Sequence, residues 1–249
     1  MQQQDFGHNQ QTGYGLDAGR ATEINEGLRK HMLRIYNIMG IGLALTALVA
    51  MVIGSNDAMF QSLISNNMLW YGALFSPLLI VMVMSFGSNK LSVAALGVLF
   101  AAYAALVGVS MSAIVYGLGQ GALQGSDVMS AFFITAGTFG GMSLVGYTTK
   151  KDLSGMGGFF MFAIIGLIVA SLVNFFILQS GMFAFILSAV TILLFAGLIA
   201  YYTQEAKQQY LAGFDSQTTT KLALMSALGL YIAVVAIFRN LVFLFASSD

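Results

Sequence analysis

The residue types that do chemistry are scarce in this chain and poorly placed for it. It carries 2 histidines, 10 carboxylates and no cysteine. His8 and His31 both precede the first long apolar stretch. A serine nucleophile needs a histidine or lysine base beside it, and no apolar stretch offers one at depth. Aspartyl proteolysis needs two facing aspartates, and metal hydrolysis needs His/Asp/Glu clusters; neither pattern is present in those stretches. Without cysteine there is no disulfide framework, thiolate zinc site, iron–sulfur cluster or thiol nucleophile. The sequence therefore reads as a non-enzyme with no catalytic residue, no metal site and no cofactor. Gly117, Gly119 and Gly121 are spaced like a phosphate loop. That fingerprint requires a strand before it and a helix after it in a βαβ unit, so no phosphate binding is expected here. A net charge of zero with no basic cluster argues against nucleic-acid partners.

The elements that hold these residues follow from hydropathy. Hydrophobic residues make up 58% of the 249 and charged residues 8%. A soluble domain is about 25% charged, so this chain reads as an integral membrane protein. A helix needs roughly 20 apolar residues to cross a hydrocarbon core. The uncharged runs, divided at turn-like residues, predict seven spans. These are about residues 32–54, 68–86, 91–116, 128–147, 155–178, 182–202 and 222–245. Membrane β-strands would alternate, and runs such as Ile164–Ala170 do not. Residues 1–18 read as a disordered polar arm on the cytoplasmic side, and 19–249 as one seven-helix domain. Leu28, Met32 and Ile35 share a helical face in an interfacial lead-in to the first span.

Nine basic residues, from Arg20 to Lys221, fall on one side of the seven-span arrangement. The opposite loops, residues 56–67, 117–127 and 179–181, carry none. The positive-inside rule then puts the amino terminus in the cytoplasm and Asp249 outside.

Inside the spans a few residues stand out. Gly137 and Gly141, with Gly140 beside them, have the spacing that lets helices approach closely, and packing within one chain is the expected use. Pro77 removes the amide that would bond the Ala73 carbonyl, which predicts a kink. Asn174 is polar at depth and is expected to bond a neighbouring helix. Arg239 falls about 27 Å along the last helix if that helix starts at Lys221, close enough to the outer interface to snorkel. A start nearer Leu224 would bury it slightly.

Four segments, in order, resemble the Bax inhibitor-1 family. They are Glu26–Asn37; Phe132–Ser154, with its Gly146-Tyr147-Thr148-Thr149-Lys150-Lys151-Asp152-Leu153-Ser154 stretch; Phe195–Gln204; and Ala227–Tyr231. The resemblance implies an all-α membrane fold of seven transmembrane helices, six surrounding a central carboxy-terminal one. It also implies either calcium or proton leak, or, in a bacterial branch, restraint of an ATP-dependent membrane protease. The pattern around Leu230-Tyr231 and Ile237-Phe238 is similar to that bacterial branch, which implies the bacterial inner membrane. Leak members pair an aspartate in span six with one in span seven. The matching positions here are Tyr202 and Ala233, or Ile237 in the other alignment. Both acids of the pH latch are thus missing. Glu205, three residues beyond Tyr202, is a partial substitute or a solvated helix-end charge.

Tyr202, Ala233, Glu205 and Arg239 are therefore the candidate gate positions. The expected partners are membrane lipids and a membrane-bound ATP-dependent protease. The competing reading is a calcium- or proton-permeable leak gated by the last helix, lined by polar residues such as Thr135, Thr138 and Asn174.

Overall fold

A computed structural model describes the backbone of residues 6–211 and 213–247, and the side chains of 24–210 and 213–247. Among the described residues there is no β-strand. Eight α-helices follow in order: α1 Phe6–Gly54, α2 Asp57–Ser65, α3 Asn67–Gly87, α4 Val93–Gly119, α5 Gly125–Thr148, α6 Gly157–Val173, α7 Gly181–Leu211 and α8 Ser216–Ala246. Among the described residues, seven helical segments are long and apolar enough to cross a membrane. They match the seven spans expected from the uncharged runs.

Two differences have simple causes. α1 begins at Phe6, inside the stretch read as an irregular arm. A helix needs only its own backbone hydrogen bonds, so polar composition alone does not prevent one. Residues 1–5 of that expected arm lie outside the described residues. The loop after α1 contains α2, too short to count as a span. Asn56 caps it by accepting from the Met59 amide. Its buried Phe60 stacks on Tyr116 of α4 at 4.1 Å.

The core is built around α8 and α4. In their most apolar windows 44% and 39% of residues are buried, against none in α6. α8 packs chiefly on α7, α1, α5 and α4, while α3 leans on α4 and α6 on α7. The expected face of α1 is present: Leu28, Met32 and Ile35 are all buried.

Where two backbones come together, a glycine marks the place. A β-carbon on Gly108 would lie 2.7 Å from the Thr46 carbonyl oxygen, so the close approach of α4 to α1 there requires its absence. On α5 the same part is taken by Gly146, where a β-carbon would fall on the Ala200 carbonyl oxygen of α7. The expectation for Gly137, Gly140 and Gly141 is corrected by this geometry. A β-carbon on any of the three meets open space. The buried side of α5 carries Ala131, Thr135, Ser143 and Gly146. At 100° per residue that side lies nearly opposite Gly137 and Gly141.

Hydrogen bonds gather the basic loops at one end of the bundle. Arg34 of α1 donates to Thr220 of α8 at 3.0 Å, and Lys221 donates to the Asn89 carbonyl at 3.4 Å. At the other end Gln120 donates to Asp57 at 3.2 Å. The charge asymmetry seen in the sequence is thus an asymmetry of the folded bundle.

Candidate functional site

The α7–α8 interface carries the positions singled out for a latch. The Tyr202 ring lies over Gly229 of α8, where a β-carbon would be 3.2 Å from it. Ala233, one turn further along the same face of α8, is fully buried. Gly229, which meets Tyr202, and Ala233 thus share one face of α8, and neither Tyr202 nor Ala233 carries an acid.

Glu205 is half-buried rather than a solvated helix-end charge, because α7 continues past it to Leu211. Its carboxyl faces Gln209 of the same helix. Gln209 in turn accepts from the buried Ser226 hydroxyl of α8 at 3.2 Å.

Deeper along α8 the core closes around Tyr231, which is fully buried. Phe100 and Tyr103 of α4 meet its ring edge-on, with centroids 5.7 and 5.5 Å away. Its hydroxyl is 2.5 Å from Thr46 Oγ1 of α1. That oxygen also lies 3.0 Å from the Gly42 carbonyl and 2.9 Å from the Ala104 carbonyl. A threonine hydroxyl has one proton. It goes to the carbonyls, so Tyr231 is the donor in its bond to Thr46. Three helices are thus tied by one satisfied polar node inside an aromatic layer.

At the basic end, α7 grips the stretch that follows α5. Gln204 Nε2 donates to the Lys151 carbonyl at 2.8 Å, and its Oε1 accepts from the Leu153 amide at 2.7 Å. Lys207 Nζ donates to the Tyr147 carbonyl at 2.9 Å. This satisfies one of the unpaired carbonyls that every helix leaves at its end, and places a cation where the helix dipole favours it. Ser154 donates to Gln208 at 3.1 Å, and Gln208 donates to Asp152 at 3.4 Å. Hydrogen bonds from Ser154, and then from Gln208, hold the Asp152 carboxyl below the usual carboxylate range. Gln204, Lys207 and Gln208 succeed one another at helical spacing on one face. Deeper in the α5–α7 interface, Ser143 and Thr203 share a hydrogen bond at 3.3 Å.

This clamp covers the Gly146–Ser154 stretch, and a family model described as "Inhibitor of apoptosis-promoting Bax1" matches residues 28–249 across it. The chain belongs to the Bax inhibitor-1 family. A relative from Deinococcus radiodurans is 39% identical over 222 residues, spanning 89% of this chain and 92% of that protein. The inner membrane protein YbhL of Escherichia coli is 36% identical over 225 residues, 89% of this chain and 93% of its own. A membrane protein of Streptococcus pyogenes is 35% identical over 230 residues, 92% and 97% of the two chains. The chain is thus a Bax inhibitor-1 family multispanning membrane protein, and its relatives agree with an inner-membrane location.

The other expected positions are dispersed. Among the described residues Asn174 makes no side-chain bond across the bundle. It caps the turn between α6 and α7, accepting from the Ser180 amide at 3.1 Å. Residues 174–178 form a π-turn there, so the short polar side chain meets the amides freed by the turn. α3 runs on through Pro77 and lies away from α8. Arg239 is exposed, about two turns before the end of α8. Thr135 is buried and spends its proton on its own helix, at the Ala131 carbonyl. Thr135 and Asn174 thus make their side-chain bonds within their own helix and at its end.

Sequence reading missed the Gln204 clamp. Its signal was a polar stripe at i, i+3 and i+4, continuing a helix beyond the apolar limit. Replacing Gln204 by alanine leaves the Leu153 amide and the Lys151 carbonyl without their partner. The expected result is faster amide exchange confined to about residues 147–156, with a stability loss of roughly 1–3 kcal/mol. Hydrogen–deuterium exchange on the purified protein reads both.

Proposed function

We propose that this family member is a non-enzymatic regulatory protein of the bacterial inner membrane. It acts by binding other membrane proteins, with a membrane-bound ATP-dependent protease as the class of partner. Its amino terminus lies in the cytoplasm and its carboxy terminus outside. The observation that carries this reading is the closed centre of the bundle. Tyr231 and Ala233 are fully buried, and the Tyr202–Ala233 interface holds no acid pair. A cation path is lined by acids or carbonyl rings, and a proton relay needs ionisable groups at depth. The gripped stretch at the basic end offers a fixed, polar cytoplasmic shape for a partner to recognise.

The test is turnover of a membrane substrate by the ATP-dependent proteases of inverted bacterial membranes, with and without the chain. Slower turnover, restored by the Gln204→Ala variant, supports the reading. Identical rates at matched protein levels contradict it.

A second reading keeps one specific observation in its favour. Glu205 is a half-buried carboxylate beside Tyr202 at the α7–α8 interface. If α8 moves, that acid borders a route for calcium or protons.

A further inference from the structure

α1 and α5 both pack on α8 but touch each other sparingly, Tyr36 and Phe139 meeting edge-on at 5.7 Å. Between them, at the basic end, is a cleft of about 310 Å³. That volume is at the small end of clefts that hold ligands. Arg29 and Tyr147 stand at its mouth, Leu33 and Leu144 form its walls, and Gly140 leaves room at its side. It runs about 10 Å from Arg29 to Tyr36, two turns of α1.

Three features define an occupant. The walls face outward: Leu33 is 48% and Leu144 64% exposed, which in a membrane-spanning helix means toward the lipid. The mouth is positive. Arg29 is exposed and makes no hydrogen bond or ion pair among the described residues. Lys207 stands 5.0 Å above the Tyr147 ring. The nearest acid along α1, Glu26, lies one turn beyond the mouth, away from the apolar walls. Finally, tyrosines at the mouth and at the inner end suit the headgroup boundary.

We propose that this cleft binds one anionic phospholipid of the leaflet at the basic end. The phosphate sits at the Arg29 guanidinium, and one acyl chain lies between Leu33 and Leu144 along Gly140. Basic pockets between helices on the cytoplasmic side suit such headgroups. An apolar trough continuous with a positive rim fits an amphiphile with an anionic head better than a free anion.

Native mass spectrometry of the full chain in a neutral detergent tests this. The probes are phosphatidylglycerol, phosphatidylcholine with the same acyl chains, and inorganic phosphate alone. Phosphatidylglycerol should remain as a one-to-one adduct with about fivefold higher occupancy than phosphatidylcholine, and inorganic phosphate should neither bind nor displace it. Arg29→Gln should reduce the anionic preference to the phosphatidylcholine level. Gly140→Leu, whose side chain enters the cleft, should remove both lipids while elution and helical circular dichroism stay unchanged. Equal occupancy of the two lipids would overturn the proposal. So would displacement by phosphate, or an Arg29→Gln variant that keeps the preference. Arg29 is exposed and has no partner among the described residues, so that variant remains informative even if Gly140→Leu folds poorly.

Discussion

Replacing Gly146 by leucine should abolish the folded bundle in detergent, whereas leucine at Gly141 should leave it intact. The added β-carbon at Gly146 falls on the Ala200 carbonyl and lies 2.8 Å from the Ala200 α-carbon. Both are backbone atoms, so no side chain can swing aside, and α5 must separate from α7. Overpacking ordinarily costs about 1–3 kcal/mol, and separating two helices exceeds that range. The same separation breaks the Ser143–Thr203 bond and pulls the Gly146–Ser154 stretch off Gln204 and Lys207. Gly141 faces open space, and leucine there adds only apolar surface to a lipid-facing side. Its cost should stay within roughly 0.5 kcal/mol. Monodisperse yield and thermal melting of the two variants check the pair. A Gly141→Leu variant as damaged as Gly146→Leu would mean that the outward glycines pack against something after all.

The second large effect belongs to Tyr231. In soluble cores, trimming a buried aromatic to alanine costs about 3–5 kcal/mol. Between membrane helices the hydrophobic term is missing and packing remains, so the lower end, about 3 kcal/mol, is expected for Tyr231→Ala. The loss includes the edge-on approaches of Phe100 and Tyr103. Tyr231→Phe keeps the ring and removes only the donor to Thr46, which still gives its own proton to the Gly42 and Ala104 carbonyls. Its cost should be close to 1 kcal/mol. Adding Thr46→Val to Tyr231→Phe should cost less than the sum of the two single changes, since both remove the same bond. Reversible unfolding in mixed micelles measures all three. Equal losses for phenylalanine and alanine would show that the hydroxyl, not the ring, holds the node.

The spans were legible because membranes enforce them. Charge-free runs bounded by Lys90, Asp127 and Lys150 had to be helices of about twenty residues, and the helices end near those charges. Hydropathy reports where lipid ends, and a helix can outlast it. α7 was expected to stop near Tyr202, yet it runs on through Gln204, Glu205 and Lys207 to Leu211. A real break comes only near Gly213, with its positive φ of 73°. The clamp was missed for the same reason, since its residues lay beyond the supposed end and Gln204 and Lys207 bond backbone groups. α2 had left a trace in its Asn56-Asp57 cap, but 9 residues are too few to register as a span.

Gly137 and Gly141 had the better spacing, yet Gly108 and Gly146 do the packing. Spacing identifies a smooth face; which way that face turns depends on the rest of the helix. On α5 the buried Ala131, Thr135 and Ser143 decide it. At the latch positions the Tyr202 ring meets Gly229, one turn from the buried Ala233 on α8.

The α7–α8 interface sets this chain apart from one with an acid-pair latch. A pair of facing carboxylates senses pH because one shared proton relieves their repulsion. Here a tyrosine lies over Gly229, and Ala233 is packed shut one turn away. The decisive measurement is calcium flux through the full chain in liposomes, stepped across about pH 5 to 8 to bracket coupled carboxylates. It should be run beside the Tyr202→Asp, Ala233→Asp double variant. The unmodified chain should show no steep rise in flux on acidification, and the double variant should gain one. A steep acid-driven flux in the unmodified chain would contradict the account and make Glu205 the sensor.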